Sequence, residues 1–260
     1  MNGALRDAVQ RAKHDQTQLP GAVRSAEELM ATKRMTAFGA TFAINAFKMR
    51  GDLDGCLRVL SYLDRAGIPA TQYHYSSAIA ACARNKDWRM ATDLLKEIER
   101  KGIVPHTSTY NSTITACEKG GRWKQALGLM SEMASKGVKM DTITYNTAIS
   151  ACEKGGRWEE ALGLLSEMAS KGVERNTITY NAAISACAKF GRWEEALGLL
   201  REMASKGVER DTITYNAAIS ACEKGGRWEE ALGLLSEMAS KGVEQDTITY
   251  NTAISVCAKS

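Results

Sequence analysis

The sequence predicts an all-α fold, a right-handed superhelical solenoid of stacked helix-turn-helix repeats whose first helices line the concave face. A unit of 35 residues recurs with few changes, and its copies begin at Thr107, Thr142, Thr177 and Thr212, with a partial copy from Thr247. The five tryptophans keep the same spacing, at Trp88, Trp123, Trp158, Trp193 and Trp228. Each unit also carries two apolar stripes at helical spacing. A repeat of this length with such stripes indicates a solenoid, because one hairpin cannot bury its own apolar face.

The copy that begins at Thr142 shows why each unit is expected to hold two helices, called A and B below. Apolar residues at i, i+3, i+4 and i+7 predict helix A: Tyr145, Ala148, Ile149 and Cys152. A second series predicts helix B: Trp158, Ala161, Leu162, Leu165 and Met168. Asp141 offers acceptors to the first N–H groups of helix A. The pair Gly155–Gly156 is expected to end that helix, since glycine adopts left-handed dihedrals without a steric penalty.

The repeats divide the chain into one array with an atypical start. Residues 1–36 are expected to be a degenerate capping repeat or a leader, and their acidic residues argue against a transit peptide. The array itself is expected to run over 37–71, 72–106, 107–141, 142–176, 177–211, 212–246 and a partial 247–260. The last copy stops inside helix A, so the sequence is expected to be a fragment of a longer array.

Composition limits the classes of function. The net charge of +4 permits a polyanionic partner without requiring one. No apolar run approaches the roughly 18 residues of a membrane span. Six of the seven cysteines keep the repeat spacing and are expected to be buried apolar residues in a reducing compartment: Cys82, Cys117, Cys152, Cys187, Cys222 and Cys257. The three scattered histidines form no zinc motif. We therefore expect neither a cofactor nor a metal, and no catalytic activity in this chain.

The face of helix A opposite its apolar stripe carries rows of polar residues. Counting each unit from its first residue, positions 2, 5, 9 and 13 fall within about 80° of one another. From Thr142 onward they hold an isoleucine, an asparagine, a serine and a lysine, and position 35 holds Asp or Asn. Asparagine has a mediocre helix propensity, so its recurrence in the first turn favours a role for its amide.

These units resemble the pentatricopeptide repeat, in particular through TYN at the start of helix A, EEAL in helix B and the glycine and aspartate at the unit's end. The resemblance covers residues 37–260 and departs at position 34, where Arg175, Arg210 and Gln245 replace the usual proline. It implies a single-stranded RNA partner, bound one base per repeat. The base edge would be read by Asn111, Asp141, Asn146, Asn176, Asn181, Asp211, Asn216, Asp246 and Asn251. The bases would stack on Phe38, Tyr73, Ile143, Ile178, Ile213 and Ile248, and phosphates would meet Lys119, Lys154, Lys189 and Lys224.

The same resemblance implies a base preference and a cellular role. Asn at position 5 with Asp at position 35 goes with uracil, and Asn with Asn goes with a pyrimidine, cytosine favoured. An Asp at position 35 is expected to fix which way the amide at position 5 points, whereas an Asn there is expected to orient either way. The core target is then U-(C/U)-U-U, and no base is assigned to repeats 37–71 and 72–106. A role in RNA processing, stability or editing in a mitochondrion or chloroplast is implied. The alternatives are a peptide-binding scaffold like the tetratricopeptide repeat, whose period is about 34, or the binding array of a larger RNA-processing enzyme.

Two of these rows also have simpler explanations. Asp and Asn at position 35 are good N-caps for the next helix A. A lysine at position 13 is a common partner of a helix C-terminus. The tryptophans begin the apolar stripe of helix B and are expected to be core.

Overall fold

The structure, a computed structural model, describes residues 2–259, with side chains as far as Val256. Within this range it contains fifteen α-helices and one short 3-10 helix and no strand, so the all-α prediction is confirmed. The chain divides into two compact units, Met1–Val138 and Lys139–Ser260. None of the helices described has the length and apolarity of a membrane span. Over the same range, His, Cys, Asp and Glu side chains form no group of three that would suit a metal ion.

The first unit begins with two helices that precede the regular repeats. They are α1 (Asn2–His14) and α2 (Leu19–Ala31), separated by a 3-10 turn at Gln16–Gln18. These two helices pack against each other, and both pack against the helix that follows them. In these contacts α1 buries Leu5, Val9 and Ala12. Three helical hairpins follow, made by α3 (Ala37–Arg50) with α4 (Leu53–Arg65), α5 (Gln72–Arg84) with α6 (Trp88–Arg100), and α7 (Thr107–Lys119) with α8 (Trp123–Ser135).

The second unit contains three further hairpins and a final helix A. The hairpins are α9 (Thr142–Lys154) with α10 (Trp158–Ser170), α11 (Thr177–Lys189) with α12 (Trp193–Ser205), and α13 (Thr212–Lys224) with α14 (Trp228–Ser240), followed by α15 (Thr247–Lys259). Helices A pack on one another in sequence, so that α11 contacts both α9 and α13. Each helix B packs against its own helix A and the helix A that follows, as α12 does with α11 and α13.

The core lies between these helices and consists of the apolar rows that the sequence predicts. Tyr145, Ile149 and Cys152 are fully buried, and so are Ala161 and Met168 of the adjacent helix B. Leu162 is only half-buried, and the neighbouring Leu164 takes its expected place in the core.

The cysteines confirm their predicted structural role over the side chains that are described. Cys82, Cys117, Cys152, Cys187 and Cys222 are all buried and unpaired, as is Cys56, and Cys257 lies outside the described side chains. Burial raises the pKa of Cys152 to about 11. The thiolate is the reactive form, so these thiols are inert at neutral pH.

The tryptophan row is not part of the buried core, which corrects the expectation from sequence. Trp158 and Trp193 are half-buried. The guanidinium of Arg192 lies over the Trp158 ring at 4.3 Å, and that of Arg227 lies over Trp193 at 4.4 Å. Both tryptophans therefore pack against the turn of the following repeat, where an arginine covers each ring and contributes a cation–π contact. They join consecutive repeats of the second unit at their surface.

The two glycines that end helix A have different roles. Gly226 has φ +71°, so it supplies the left-handed residue that the sequence predicts for the pair. Gly225 has ordinary helical dihedrals. A Cβ at Gly225 would lie 2.5 Å from Cδ1 of Trp193. At this junction the first glycine therefore accommodates the close approach of the preceding repeat's tryptophan, and the second supplies the backbone turn. In repeat 177–211 the first position is Phe190, so a glycine there is not obligatory.

Arginines take the place of the missing proline before position 35. The Arg175 side chain is only 12% exposed, and its guanidinium lies 2.8 Å from a carboxylate oxygen of Glu202. Arg210 repeats this arrangement with Glu237 at 2.9 Å. Since these carboxylates belong to the helix B of the following repeat, the ion pairs fix the loop that a proline would otherwise stiffen.

Candidate nucleic-acid interface

Asn181, Asp211 and Thr214 form a hydrogen-bonded cluster at the junction between two repeats. Asn181 lies in the first turn of α11, Asp211 immediately precedes α13, and Thr214 lies in the first turn of α13. Nδ2 of Asn181 donates to Oδ1 of Asp211 at 3.1 Å. The hydroxyl of Thr214 donates to Oδ1 of Asn181 at 2.6 Å. The structure thus joins residues at positions 5 and 35 of one repeat to position 3 of the next.

The same cluster recurs at two other junctions of the second unit. Asn216 donates to Asp246 at 3.0 Å and accepts from Thr249 at 2.6 Å. At the remaining junction, Nδ2 of Asn146 donates to Oδ1 of Asn176 at 3.3 Å, and Thr179 donates to Oδ1 of Asn146 at 2.6 Å. The three asparagines are therefore held in the same way, whether position 35 is Asp or Asn.

The residue at position 35 also caps the next helix A, as the simpler explanation predicts. The backbone N–H of Thr214 donates to Oδ1 of Asp211 at 2.8 Å, and the N–H of Asp211 donates to the hydroxyl of Thr214 at 3.1 Å. This reciprocal pair is a capping box. Capping uses Oδ1 of Asp211. Oδ2 lies 3.4 Å from Nδ2 of Asn181 and keeps capacity to accept from a further donor. The structural role therefore does not prevent this carboxylate from also meeting a ligand.

The carboxylate fixes the orientation of the asparagine beside it. Burial raises the pKa of Asp211, but hydrogen bonds from Thr214 and Asn181 outweigh it and hold the pKa below its ordinary value. An ionised carboxylate only accepts hydrogen bonds, so Nδ2 of Asn181 must face it and Oδ1 must face Thr214. An amide has two N–H groups and two lone pairs on its oxygen. After these two bonds, one donor and one acceptor of Asn181 remain.

Asn176 is oriented as well, contrary to the expectation that it turns either way. Its Oδ1 accepts from the backbone N–H of Thr179 at 3.1 Å, and a backbone N–H can only donate. The amide oxygen must therefore face the helix. The second terminal atom of the Asn176 side chain is then Nδ2, a hydrogen-bond donor. At the equivalent place in the next repeat, Asp211 has Oδ2, a second acceptor. Within the cluster, the two kinds of repeat differ at this one atom.

An open cleft of about 520 Å³ lies beside Asn181 and is bounded by residues of two repeats. Ile178 and Ile213, from consecutive helices A, both line it, together with Asp211 and Ser185. The two isoleucines are 64% and 61% exposed, whereas Asn181 is 9% exposed. Ile143 and Ile248 are exposed to a similar degree. A flat apolar ligand could lie between the isoleucines with its polar edge at the amide.

The lysines at position 13 are exposed, but their surroundings differ. Nζ of Lys189 lies 2.9 Å from a carboxylate oxygen of Glu153 and donates to the backbone carbonyl of Glu153 at 2.7 Å. It thus contacts the last turn of the preceding helix A. For Lys224 the residue equivalent to Glu153 is Ala188, which has no carboxylate. Lys119 and Lys154 are exposed at the equivalent places in their own repeats.

In the first unit the sites depart from this pattern. Phe38 and Tyr73 are exposed, and the hydroxyl of Tyr73 accepts a hydrogen bond from Asn45 at 2.6 Å. Thr41 at position 5 contacts Nε2 of His74 at 3.1 Å. Asn111 is buried in α7.

The remaining predicted residues lie in the second unit. Asp141 caps α9 through the N–H of Thr144 at 2.9 Å, and Asn251 is exposed in α15.

Sequence reasoning missed the threonine at position 3. Thr179, Thr214 and Thr249 are fully buried and each donates to an asparagine of the preceding repeat. Their signal was the invariable threonine two residues before each asparagine, in the motif TITYN. It belongs neither to the apolar stripe nor to the exposed rows, so only the packing of adjacent repeats reveals its partner.

Comparison with known proteins supports the family resemblance. The model of the PPR repeat family matches residues 105–154, 140–189, 175–224 and 210–259, and that of the pentatricopeptide repeat domain matches residues 44–120. No match was found among curated protein sequences.

Several solved structures share the fold. The pentatricopeptide repeat protein PPR10 from maize is 26% identical with a TM-score of 0.70, and the match covers 96% of this chain and 39% of that one. PPR10 in complex with an 18-nt psaJ RNA element is 24% identical with a TM-score of 0.67, covering 98% and 41%. The PPR domain of Arabidopsis thaliana protein-only RNase P 1 in complex with tRNA is 17% identical with a TM-score of 0.58, covering 66% and 90%.

This chain therefore spans about two fifths of the length of PPR10. The two family models together match most of the chain, from residue 44 to residue 259. The chain belongs to the pentatricopeptide repeat family.

Proposed function

We propose that the chain binds single-stranded RNA along its helices A, with one base per repeat. The observation that carries this proposal is the cluster of Asn181, Asp211 and Thr214 beside the cleft between Ile178 and Ile213. The cleft offers apolar surface on which a base can stack, and the amide offers one donor and one acceptor to the base edge. PPR10, which shares this fold, has been solved in complex with RNA.

We propose further that the chain prefers pyrimidines, with U-(C/U)-U-U bound by repeats 107–246. Position 35 supplies a chemical reason for the difference between repeats. The middle atom of the uracil edge is a donor, N3–H, which suits the acceptor Oδ2 of Asp211 or Asp246. The corresponding atom of cytosine is an acceptor, which suits Nδ2 of Asn176. Repeat 142–176 is therefore the one expected to admit cytosine.

The binding proposal is tested by selecting bound RNAs from a random pool. We expect the enriched sequences to share a run of pyrimidines, and binding to weaken between about 50 and 200 mM salt as phosphate contacts are screened. An oligoadenylate of equal length is the control and should bind more weakly. Failure to retain any RNA at low salt would instead favour a peptide-binding scaffold. Enrichment without a pyrimidine run would contradict the base preference alone.

A second prediction is that the lysines at position 13 contribute to the affinity for every RNA, whatever its sequence. Lys224→Ala should weaken binding of every RNA and reduce the slope of log affinity against log salt by about 0.7, the value for one phosphate on a single strand. Lys189→Ala should have a smaller effect, because Glu153 already neutralises that ammonium group. Glu153→Gln should strengthen binding for the same reason. Titrations at several salt concentrations measure all three, and equal effects of the two lysine variants would refute the difference.

We also propose an organellar role, in processing, stabilising or editing transcripts of a mitochondrion or chloroplast, exerted by binding and not by catalysis. The support is family membership. Imaging the full-length protein with a C-terminal fluorescent tag tests the location, and a purely cytosolic signal would contradict it. Sequencing RNAs crosslinked to the protein in cells tests the role, and recovery of no organellar transcript would contradict it.

A further inference from the structure

We infer that the buried threonine at position 3 is a positioning residue for base reading, so that each base is read by side chains of two consecutive repeats. For the nucleotide bound by repeat 177–211, this residue is Thr214 of the following repeat. The inference rests on the proposed function and adds a residue to it. It also means that a repeat reads its base correctly only when its neighbour supplies the threonine.

The contacts of Thr214 place it behind the amide that reads the base. Thr214 is fully buried, so it cannot itself touch a base in the cleft. Its hydroxyl lies 2.6 Å from Oδ1 of Asn181 and 2.8 Å from Oδ1 of Asp211. The hydroxyl has one hydrogen, and the shorter contact is to the asparagine.

This bond determines which groups of Asn181 remain for the base. Asp211 holds Nδ2 from one side, and Thr214 holds Oδ1 from the other. Rotation of the amide about its last torsion would break both bonds. Without the hydroxyl only the bond to Asp211 would restrain the amide, and Oδ1 would lose a buried partner that water does not readily replace. The fixed order of donor and acceptor toward the cleft would be lost, and selectivity would fall with it.

The arrangement recurs where the sequence is not a copy. In the second unit the distance from the threonine hydroxyl to the asparagine oxygen is 2.6 Å at all three junctions, although position 35 is Asn in one of them and Asp in two. Duplication of a successful unit would explain that recurrence by itself. In the first unit, however, His74 occupies position 3 and still contacts the side chain at position 5 of the preceding repeat.

The histidine is also oriented to perform the same task. Its Nδ1 accepts from the backbone N–H of Thr71 at 3.0 Å, so that nitrogen carries no hydrogen in the neutral ring. Nε2 then carries the hydrogen and faces the hydroxyl of Thr41 at 3.1 Å. A different side chain thus supplies a donor from position 3 to position 5, as the threonines do. The contact is preserved in a diverged repeat, which favours a function over simple copying.

The test compares Thr214→Val, which keeps the shape and removes the hydroxyl, with Thr214→Ser, which keeps the hydroxyl. Affinity is measured for RNAs that contain U or C at the third nucleotide of U-(C/U)-U-U. The fourth nucleotide, read by Asn216 with Thr249, is the internal control. The unsubstituted chain should prefer U at the third nucleotide by about 5- to 150-fold. Thr214→Val should bring this ratio close to one without changing the ratio at the fourth nucleotide, and Thr214→Ser should restore it.

The outcomes separate this inference from the proposed function. An unsubstituted chain that binds no RNA refutes the proposed function and this inference with it. A chain that binds RNA but shows no preference at the third nucleotide refutes the proposed base preference and this inference. An unchanged ratio in Thr214→Val refutes the inference alone. Equal weakening for all RNAs, accompanied by a lower melting temperature, would assign the threonine to helix capping only. If Thr214→Val does not fold, Thr249→Val at the junction with α15 gives the same test on the fourth nucleotide, with the third as control.

Discussion

Asn176→Asp is expected to convert the second nucleotide of the target from either pyrimidine to uracil. The substitution replaces the donor Nδ2 by a second acceptor, the one atom in which the asparagine cluster of this repeat differs from those of repeats 177–211 and 212–246. A carboxylate next to the base should accept from N3–H of uracil and repel N3 of cytosine. Base-edge hydrogen bonds discriminate by about 1–3 kcal/mol, so the preference for U over C should rise by roughly 5- to 150-fold. Affinities for two RNAs that differ only at that nucleotide measure the change.

The reverse substitution in the next repeat is the matched control. Asp211→Asn should relax the third nucleotide to either pyrimidine and leave the second unchanged. Both Asp and Asn are good N-caps and occupy the same capping box in this chain, so neither variant should lose helix stability. Melting curves verify this before binding is compared. Reciprocal variants that leave both preferences unaltered would show that position 35 serves only as a cap.

Replacing one glycine by alanine in each of the three helices B of the second unit is expected to raise the melting temperature by several degrees. Gly163, Gly198 and Gly233 lie mid-helix in α10, α12 and α14 and are exposed, and a Cβ at each would meet no atom within 4 Å. Glycine inside a helix is about 1 kcal/mol less favourable than alanine. The triple variant should therefore be more stable by about 2–3 kcal/mol. Thermal or urea denaturation followed by circular dichroism gives this value.

Gly191→Ala is the control for the glycine variants and should have the opposite effect. This glycine has φ +63°, and a Cβ would lie 3.0 Å from the backbone carbon of Lys224 in the next repeat. The left-handed conformation alone costs a residue with a side chain about 1–2 kcal/mol, and the close contact adds to it. If Gly191→Ala is destabilised and the triple variant is stabilised, the effect of each glycine on stability depends on the room for a Cβ and on its backbone dihedral angles. The number of glycines would then not explain the stability. No gain in the triple variant would indicate that these glycines contact something other than solvent.

Periodicity allowed most of the fold to be predicted from the sequence. The 35-residue repeat with two apolar stripes placed the helices, and the buried Tyr145 and Met168 lie where the pattern predicts. Because a residue's face on a helix follows from its number, the exposed Ile178 and the capping Asp211 were also identified in advance. Local sequence alone thus decided whether a residue of a given helix faces solvent or the core.

Contacts between repeats were decided only by the tertiary structure. Trp158 was predicted to be a core residue, yet it is only half-buried. Its ring lies at the surface between two repeats, where Arg192 in the turn of the next repeat covers it. Asn176 looked able to orient either way, yet the N–H of Thr179 fixes its oxygen. Thr214 had no evident partner, since the asparagine that it holds lies 33 residues earlier. A helical pattern specifies which side of a helix is buried, but atoms brought together by stacking are separated by a whole repeat, and only the packed structure determines their distances and hydrogen bonds.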